Sequence, residues 1–363
     1  MTVYAVLLLL LCVCGFGMRA DQSAKNRKIF LFLTFTVLGL FLGLRGASVG
    51  EDTQHYIDIF RYSADVSWSS IFHSRNMRTG YFTDANGYTD TIENGYLILC
   101  KLVRLFTSNA HIFLCIVALA TCWLFARFIY DNTEQVFYAA YIFVCDSMFM
   151  MSFNLVRQML AVAIAVQAYA AMKQRQWKRA LLIILLAAFI HNVALVCLIL
   201  IPIMRIREGR ERRAFRYILL LTVLMPVVVY LLRAGIILLF PRYRLYFTTN
   251  YWNNSLGGTA LLVMLELVLV GLLYLKNRFH IEESFQLSAA VLLFLACEIA
   301  GLKITMFSRV GLFFRAYLIL FFPKVERVFV SRDRPWCRGL IMLLLGLLYL
   351  SYARSPARMY IFL

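Results

Sequence analysis

The chain has 363 residues, of which 62% are hydrophobic and only 15% are charged. A soluble globular domain carries about 45–50% apolar and about 25% charged residues, so a soluble enzyme, a disordered chain and a fibrous protein are excluded. The net charge of +18 does not indicate nucleic acid as a partner, because membrane proteins collect Lys and Arg in their cytoplasmic loops.

The apolar segments predict one membrane-embedded domain over residues 1–363. A crossing takes about 20 apolar residues, and the sequence predicts an all-α polytopic protein with about 10–12 transmembrane or re-entrant helices. The first apolar segment, residues 3–18, is followed by basic residues and not preceded by them. This order is the reverse of a signal peptide, and it predicts an uncleaved span with its amino end outside.

Basic segments orient the predicted helices. Residues 19–28, 173–179, 204–216 and 324–338 hold a clear excess of Lys and Arg, so we expect all four to face the cytoplasm. This orientation places the polar segment 46–95 outside, as a large extracytoplasmic loop. The many aromatic residues of that loop predict that it is ordered and packed.

Two segments require special geometry if every basic loop is to lie inside. Residues 94–107 are predicted to form a re-entrant or interfacial helix instead of a crossing. Residues 180–204 have basic loops at both ends, which predicts a broken or re-entrant helical hairpin bent near His191. Unwound backbone at membrane depth is tolerated only where protein or a water-filled cavity covers it, so the break itself indicates a site.

Once the helices are oriented, four polar clusters share the predicted outer face. Asn154, Arg157 and Gln158 have the spacing i, i+3 and i+4, which predicts that they share one helix face. The clusters contain, in chain order, Arg45, Asp52 and Tyr56; Glu93 and Tyr96; Asn154, Arg157 and Gln158; and Arg309 and Arg315.

Arg157 and Arg315 lie inside apolar segments, where an ionisable residue is costly and indicates function by default. A guanidinium group donates paired hydrogen bonds to phosphate oxygens. Several arginines at one membrane face therefore suit a lipid-linked phosphate or pyrophosphate. Snorkelling to the interface is the alternative for Arg45 and Arg309. The alternative for Arg157 and Arg315 is an ion pair with one of three buried acids, Asp146, Glu266 and Glu298.

Asp52, Glu93 and His191 are the candidates for a general base that activates a sugar hydroxyl. Each has a structural alternative. Either carboxylate is equally suited to be a solvated loop residue or the partner of Arg45. His191 is alone in an apolar segment, where its ring is suited to hydrogen-bond at a helix break.

In this order, the clusters resemble the EpsG family of Wzy-like exopolysaccharide and O-antigen polymerases. The resemblance covers residues 30–325. Asn94 and Phe313 depart from the family pattern, which usually has Pro and often Tyr at these positions. The matching residues are Arg45, Gly50, Asp52, Thr53, Tyr56, Glu93, Gly95, Tyr96, Asn154, Arg157, Gln158, Ile190, His191, Arg309, Phe313 and Phe314.

The resemblance implies an enzyme that joins oligosaccharide repeat units carried on undecaprenyl pyrophosphate, at the outer face of the bacterial inner membrane. It implies no metal, no cofactor and no nucleic acid. Its expected partners are the lipid-linked oligosaccharide, membrane lipid, a chain-length regulator and other polysaccharide-assembly proteins. Arg157 is expected to stabilise the departing pyrophosphate, with Arg45, Arg309 and Arg315 as helpers.

Three alternatives remain open at this point. A flippase for lipid-linked sugars would also place arginines in the bundle, but we would expect its ionisable residues to follow a path through the membrane. An O-antigen ligase would use the same donor with a different acceptor. A purely structural membrane subunit would not require the ordered polar clusters.

Overall fold

The structure is a computed structural model, and it describes residues 2–17, 22–72, 78–83, 89–207, 209–239, 257–277, 280–301, 304, 306–354 and 360–361. Within these ranges nearly all regular structure is helical, which confirms the predicted all-α polytopic membrane class. A small antiparallel hairpin, formed by β1 (Arg78–Thr83) and β2 (Thr89–Glu93), was not predicted. The chain divides into two compact units, residues 1–195 with 340–363 and residues 196–339.

The first unit has helices before and after the β-hairpin in the sequence. The last of them, α18, begins in the second unit and continues into the first. They are α1 (Thr2–Gly17), α2 (Ala24–Gly43), α3 (Thr53–Tyr62), α4 (Trp68–Phe72), α5 (Asn94–Arg104), α6 (Ala110–Asn132), α7 (Val136–Cys145), α8 (Met148–Asn154), α9 (Val156–Ala165), α10 (Ala168–Lys173), α11 (Trp177–Ile190) and α18 (Arg334–Tyr352).

The second unit contains the remaining helices, together with short 3₁₀ and π-helical segments. Within it, the hydroxyl of Thr222 donates to the carbonyl of Leu292 at 3.1 Å and ties two long helices together. These helices are α12 (Leu200–Met204), α13 (Glu211–Leu239), α14 (Gly257–Leu272), α15 (Ser284–Gly301), α16 (Met306–Arg315) and α17 (Leu318–Val325).

Helix α2 and helix α6 pack along their length because small residues allow a close approach. Ser23 caps α2, and its hydroxyl accepts a hydrogen bond from the backbone of Asn26 at 3.3 Å. Gly39 and Gly43 are four residues apart, and a Cβ atom at Gly43 would lie only 2.6 Å from the Cα atom of Cys115 in α6. This spacing is the one that brings membrane helices into contact.

Length and composition identify the membrane-crossing candidates. In the described ranges α2, α6, α15 and α18 are long and apolar enough to cross. Two pairs add further candidates if each is one bent span: α7 with α8, bent by 46°, and α16 with residues 318–328, bent by 56°. The protein is therefore built as a multi-pass membrane protein, while its orientation and the side of its amino end stay predictions.

The two segments of special geometry are short or interrupted, as their sequences indicated. Helix α5 has 11 residues, which corresponds to about 16 Å and is about half of a bilayer core. Helix α11 ends at Ile190, His191 is extended, and a 3₁₀ segment follows over Asn192–Ile199. The interruption at His191 is present, and the hairpin over residues 180–204 stays a prediction.

Candidate active site

A buried carboxylate, Glu93, forms the centre of the candidate site. Glu93 ends β2, precedes α5 and is 0% exposed. Arg157 Nη1 lies 2.9 Å from Glu93 Oε2, and His191 Nδ1 lies 3.1 Å from Glu93 Oε1. The backbone N–H of Asn192 donates to the same Oε1 at 3.4 Å. Three motifs that are far apart in the sequence therefore meet at one carboxylate, and we call Glu93, Arg157 and His191 the ionic cluster.

Opposite charge and hydrogen bonds compensate the burial of this carboxylate. An isolated ionised carboxylate is very costly in a protein interior, and the Arg157 guanidinium supplies the opposite charge. The contact at Nη1 is a close ion pair and not an aligned hydrogen bond. Removing one partner of a buried pair costs about 3–5 kcal/mol of stability, so each member holds the others in place.

Close packing of α5 against α11 sets the position of Glu93. A Cβ atom at Gly95 would overlap the backbone carbonyl of Phe189, near the end of α11. Glycine alone permits this approach, because every other residue carries a Cβ. Glu93 lies two residues before Gly95 and His191 two residues after Phe189, so the same contact brings the carboxylate to the imidazole.

His191 is held at a helix end with its ring toward Glu93. Its backbone is extended (φ −154°, ψ 111°), and its N–H still donates to the carbonyl of Ala187 at 2.9 Å. The His191 side chain is 16% exposed, whereas that of Glu93 is 1% exposed. Because Nδ1 contacts the carboxylate, a proton exchanged with a substrate would be exchanged at Nε2. A carboxylate that orients an imidazole is the usual support for a histidine base.

Arg157 sits among aromatic rings. It is the second residue of α9, its side chain is 11% exposed, and its guanidinium carbon lies 6.0 Å from the centre of the Tyr96 ring. Tyr96 is fully buried and meets the ring of Tyr56 edge to face at 6.2 Å. The structure therefore places Tyr96 beside Arg157, and Tyr56 beside Tyr96. Contact of either tyrosine with a substrate stays a prediction.

The predicted single helix face for Asn154, Arg157 and Gln158 is wrong, because the helix is broken between them. Helix α8 ends at Asn154, Leu155 leaves the helical region (φ −104°, ψ 51°), and α9 begins at Val156. Asn154 instead turns to the loop before α3, where its Oδ1 accepts a hydrogen bond from the backbone of Glu51 at 3.1 Å. The break frees α9 to direct Arg157 to Glu93.

Arg45 joins three segments of the first unit. The residue is 1% exposed, and its Nε donates to the hydroxyl of Thr53 and its Nη2 to the carbonyl of Phe153, both at 3.1 Å. Burial lowers the pKa of Arg45 to about 10, and nearby tyrosines, Tyr360 first among them, oppose that shift. Arg45 thus stays charged at neutral pH and ties the end of α2 to α3 and α8. A direct contact with substrate stays a prediction.

The loop before α3 fits against the end of α8 through a glycine. Gly50 has a φ of +88°, a left-handed conformation that favours glycine. A Cβ at this position would lie 2.7 Å from the carbonyl oxygen of Phe153 and 2.9 Å from Asn154 Oδ1. Asp52 follows in the same turn, half-buried, with its backbone carbonyl accepting from Tyr56 at 3.1 Å.

Three predicted site residues remain, which are Gln158, Arg309 and Arg315. Gln158 is buried in α9 next to Arg157. Arg309 is exposed on α16, and Arg315 is buried at the end of the same helix, with its guanidinium carbon 5.1 Å from the centre of the Phe294 ring. Both arginines belong to the second unit, so their convergence with Arg157 stays a prediction.

Sequence reasoning missed the partner of Arg157. The acids considered for it were Asp146, Glu266 and Glu298, whereas the structure pairs it with Glu93. The sequence suggests Glu93 as a general base, a solvated loop residue or the partner of Arg45, whereas the structure buries it in contact with Arg157 and His191.

Fold and site together define a polytopic α-helical membrane protein with a buried Arg–Glu–His cluster. The EpsG family profile matches residues 28–362, which is nearly the whole chain. The chain belongs to the EpsG family.

Curated proteins include a distant relative of this chain. The amylovoran biosynthesis protein AmsC of Erwinia amylovora is 25% identical over 212 residues, which is 56% of this chain and 52% of the relative. The match thus spans about half of the length of that relative. Comparison with solved structures gives no match.

Proposed function

We propose that this protein polymerises oligosaccharide repeat units carried on undecaprenyl pyrophosphate, at the outer face of the bacterial inner membrane. The product would be an exopolysaccharide, and membership of the EpsG family together with the likeness to an amylovoran biosynthesis protein supports this class of reaction. A capsule or an O-antigen is the same kind of product. The single observation that carries the proposal is the ionic cluster of Glu93, Arg157 and His191.

The proposed reaction is a direct displacement at the anomeric carbon of the donor. The hydroxyl oxygen of the acceptor sugar forms a bond to that carbon, and the bond from the carbon to the pyrophosphate oxygen breaks. The leaving pyrophosphate takes the bonding electron pair, and the hydroxyl proton goes to the base. No covalent enzyme intermediate is required, so the configuration at the anomeric carbon inverts.

His191 is the base in this proposal, with Glu93 as its positioning residue. Both oxygens of Glu93 already contact a partner, Oε2 the Arg157 guanidinium and Oε1 the His191 ring, whereas the His191 side chain is 16% exposed and able to meet a substrate hydroxyl. The same carboxylate orients the imidazole and stabilises the charge that His191 acquires with the proton. We therefore place His191 ahead of Asp52 and Glu93 as the base. Asp52 remains suited to hold the acceptor sugar near the loop.

Arg157 acts on the leaving group. Negative charge grows on the pyrophosphate as the bond breaks, and a positive charge fixed in a site of low dielectric stabilises it with little reorganisation. A guanidinium carries five N–H donors, so a contact with Glu93 at Nη1 is compatible with contacts to phosphate oxygens. Arg309 and Arg315 are the proposed helpers on the polyprenyl pyrophosphate, while Tyr56, Tyr96, Asn154 and Gln158 line or support the substrate site.

Reconstitution tests the function directly. Purified protein in phospholipid vesicles is given lipid-linked repeat units, with and without EDTA, and the products are separated by length. We expect a ladder of polymers in both cases. The Arg157→Lys variant should produce no ladder, because lysine keeps the positive charge but does not form the bidentate hydrogen bonds of a guanidinium group.

Other outcomes would overturn the proposal. Movement of labelled lipid-linked sugar between the leaflets without a ladder would identify a flippase. Transfer of a preformed polymer to a lipid acceptor without chain growth would identify a ligase. A ladder that is lost with EDTA and restored by a divalent cation would remove the metal-independent part of the mechanism.

A further inference from the structure

Two aromatic side chains of the polar segment 46–95 are exposed, with their ring planes nearly parallel. Trp68 and Phe72 are 42% and 71% exposed, their ring centres are 6.2 Å apart, and their planes differ by 16°. They are i and i+4 in α4, so they share one face, while Ile71 points inward and is buried. We call Trp68 and Phe72 the aromatic platform.

Serine hydroxyls accompany the aromatic platform on α4. Ser67, Ser69 and Ser70 are all exposed. The Oγ of Ser67 accepts a hydrogen bond from the backbone N–H of Ser70 at 3.1 Å, and it lies 2.9 Å from Ser69 Oγ and 2.7 Å from Ser70 Oγ. Hydroxyl groups both donate and accept hydrogen bonds. An exposed apolar patch with polar groups at its edge indicates an interaction site.

Lys101 of α5 supports the larger ring of the platform. Its Nζ donates to the backbone carbonyls of Ser63 and Val66 at 3.0 and 2.6 Å. The same Nζ lies 5.2 Å from the centre of the Trp68 ring, a distance at which an ammonium group is attracted to an aromatic face. The ring is thus positioned before a ligand arrives, which lowers the entropic cost of binding.

The start of α5 connects the aromatic platform to the ionic cluster. The Nδ2 of Asn94 donates to the carbonyl of Ile71 in α4 at 2.7 Å, and Asn94 directly follows Glu93. The same helix packs on α11 at Gly95. Helix α5 has 11 residues, which is about 16 Å, a length that an oligosaccharide of a few rings spans. One short helix of the first unit therefore holds both the platform and the ionic cluster.

We propose that the aromatic platform binds a sugar ring of the oligosaccharide substrate. A pyranose has an apolar face of C–H groups and an edge of hydroxyl groups. The C–H face packs on the electron-rich faces of aromatic rings, and the hydroxyl edge finds hydrogen-bond partners in the serines. This inference rests on the proposed function for the identity of the sugar, and it adds a binding subsite next to the ionic cluster.

Membrane lipid is the other ligand that exposed aromatic residues contact. A patch suited to lipid is present at the end of α5, where Leu102, Leu105 and Phe106 are all exposed. The platform differs from this patch, because serine hydroxyls accompany its rings and the Lys101 ammonium lies against Trp68. These polar groups favour a sugar over acyl chains, and Phe106 supplies a matched control for the loss of an exposed ring.

Sugar binding is tested without turnover. The purified full-length protein in neutral detergent is titrated with the repeat-unit oligosaccharide, released from its lipid by mild acid, and binding is followed by saturation-transfer NMR. We expect Trp68→Ala to weaken binding at least about tenfold and Phe72→Ala about fivefold. Phe106→Ala should stay within about twofold of the wild type. In vesicles, Trp68→Ala should raise the half-saturating concentration of the lipid-linked repeat unit and leave maximal turnover unchanged.

The outcomes separate this inference from the proposed function. Wild-type sugar binding by folded Trp68→Ala and Phe72→Ala proteins, with normal polymer ladders, would overturn the platform alone. Binding that depends on Trp68 in a protein that forms no ladder would support the platform and overturn polymerisation. Quenching of Trp68 fluorescence by brominated lipid, measured as the difference between wild type and Trp68→Phe, would place the ring in the bilayer and overturn the sugar subsite. Phe72→Ala covers the case in which Trp68→Ala fails to fold.

Discussion

Two regions of this protein handle positive charge in opposite ways. In the ionic cluster, one guanidinium is buried, and a carboxylate from a distant segment faces it at 2.9 Å. At the turn between α12 and the start of α13, by contrast, Arg207, Arg210 and Arg213 are exposed to solvent. Buried charge must be compensated inside the protein, and that compensation fixes its geometry. Exposed charge is solvated, so it does not require a partner inside the protein.

This contrast suggests different tasks for the two regions. A fixed charge with defined partners suits a reaction, because stabilising a leaving group depends on atoms that are already in place. Solvated guanidinium groups at the surface do not require such a fixed geometry. Substitutions in the ionic cluster should therefore change turnover by large factors, whereas exposed ion pairs should contribute little.

Replacement of Arg157 should have the largest effect. Arg157→Ala removes the charge on the leaving group and leaves Glu93 buried without its cation. We expect turnover to fall about 1,000-fold, and the free energy of unfolding to fall by about 3–5 kcal/mol. Polymer ladders and thermal denaturation in detergent measure the two effects. An Arg157→Ala protein that is folded and produces wild-type ladders would remove Arg157 from the mechanism.

His191 should come next. His191→Asn removes the base but keeps a side chain that is able to donate a hydrogen bond to Glu93. We expect turnover to fall roughly 300-fold. The decline in wild-type turnover toward acidic pH, where an imidazole base becomes protonated, should disappear in the variant. The measurement is a pH–rate profile of repeat-unit transfer, and an unchanged profile would assign the base to another residue.

The packing of α5 on α11 should matter without any contact with substrate. Gly95→Ala places a Cβ on the backbone of Phe189, which shifts Glu93 away from His191. A misplacement of about 1 Å costs about 100-fold in turnover. Gly339→Ala is the matched control, since a Cβ there meets nothing within 4 Å. Equal turnover in both variants would show that this contact does not position the cluster.

An exposed ion pair in the first unit should give the smallest effect. Arg127 and Asp131 of α6 are 3.5 Å apart, and their side chains are 62% and 37% exposed. Such pairs contribute about 0–1 kcal/mol, so Asp131→Asn should leave both turnover and the denaturation midpoint nearly unchanged. A large loss of stability would contradict the distinction between buried and exposed charge in this protein.

Sequence patterns were sufficient to predict the class of fold and the interruption of the helix at His191. Apolar segments of membrane length predict helices, and basic loops on both sides of residues 180–204 indicated the break. The break at Leu155 was not predictable, because FNLVRQML contains neither Gly nor Pro and continues the helical pattern. The strands next to Glu93 were also missed, since their pairing depends on a partner strand and the hydrophobic pattern there is weak.

For the site, the sequence identified the chemical groups but not their pairing. Arg157, Glu93 and His191 were each singled out for their charge or their isolation in apolar sequence. Their meeting depends on the approach of α5 to α11 at Gly95 and on the direction of α9 after Leu155. Both are tertiary contacts between distant segments, which local sequence patterns do not encode.

The most direct test of the central claim is a double-mutant cycle between Glu93 and His191, measured as the rate of repeat-unit transfer in vesicles. Residues that act as one unit show losses that do not add. If Glu93 acts by orienting His191, the loss in E93Q/H191N should be at least about tenfold smaller than the product of the two single losses, and the remaining effect of E93Q is the one that acts through Arg157. A double variant whose loss equals the product of the two single losses would show independent roles and would contradict the ionic cluster as the catalytic unit.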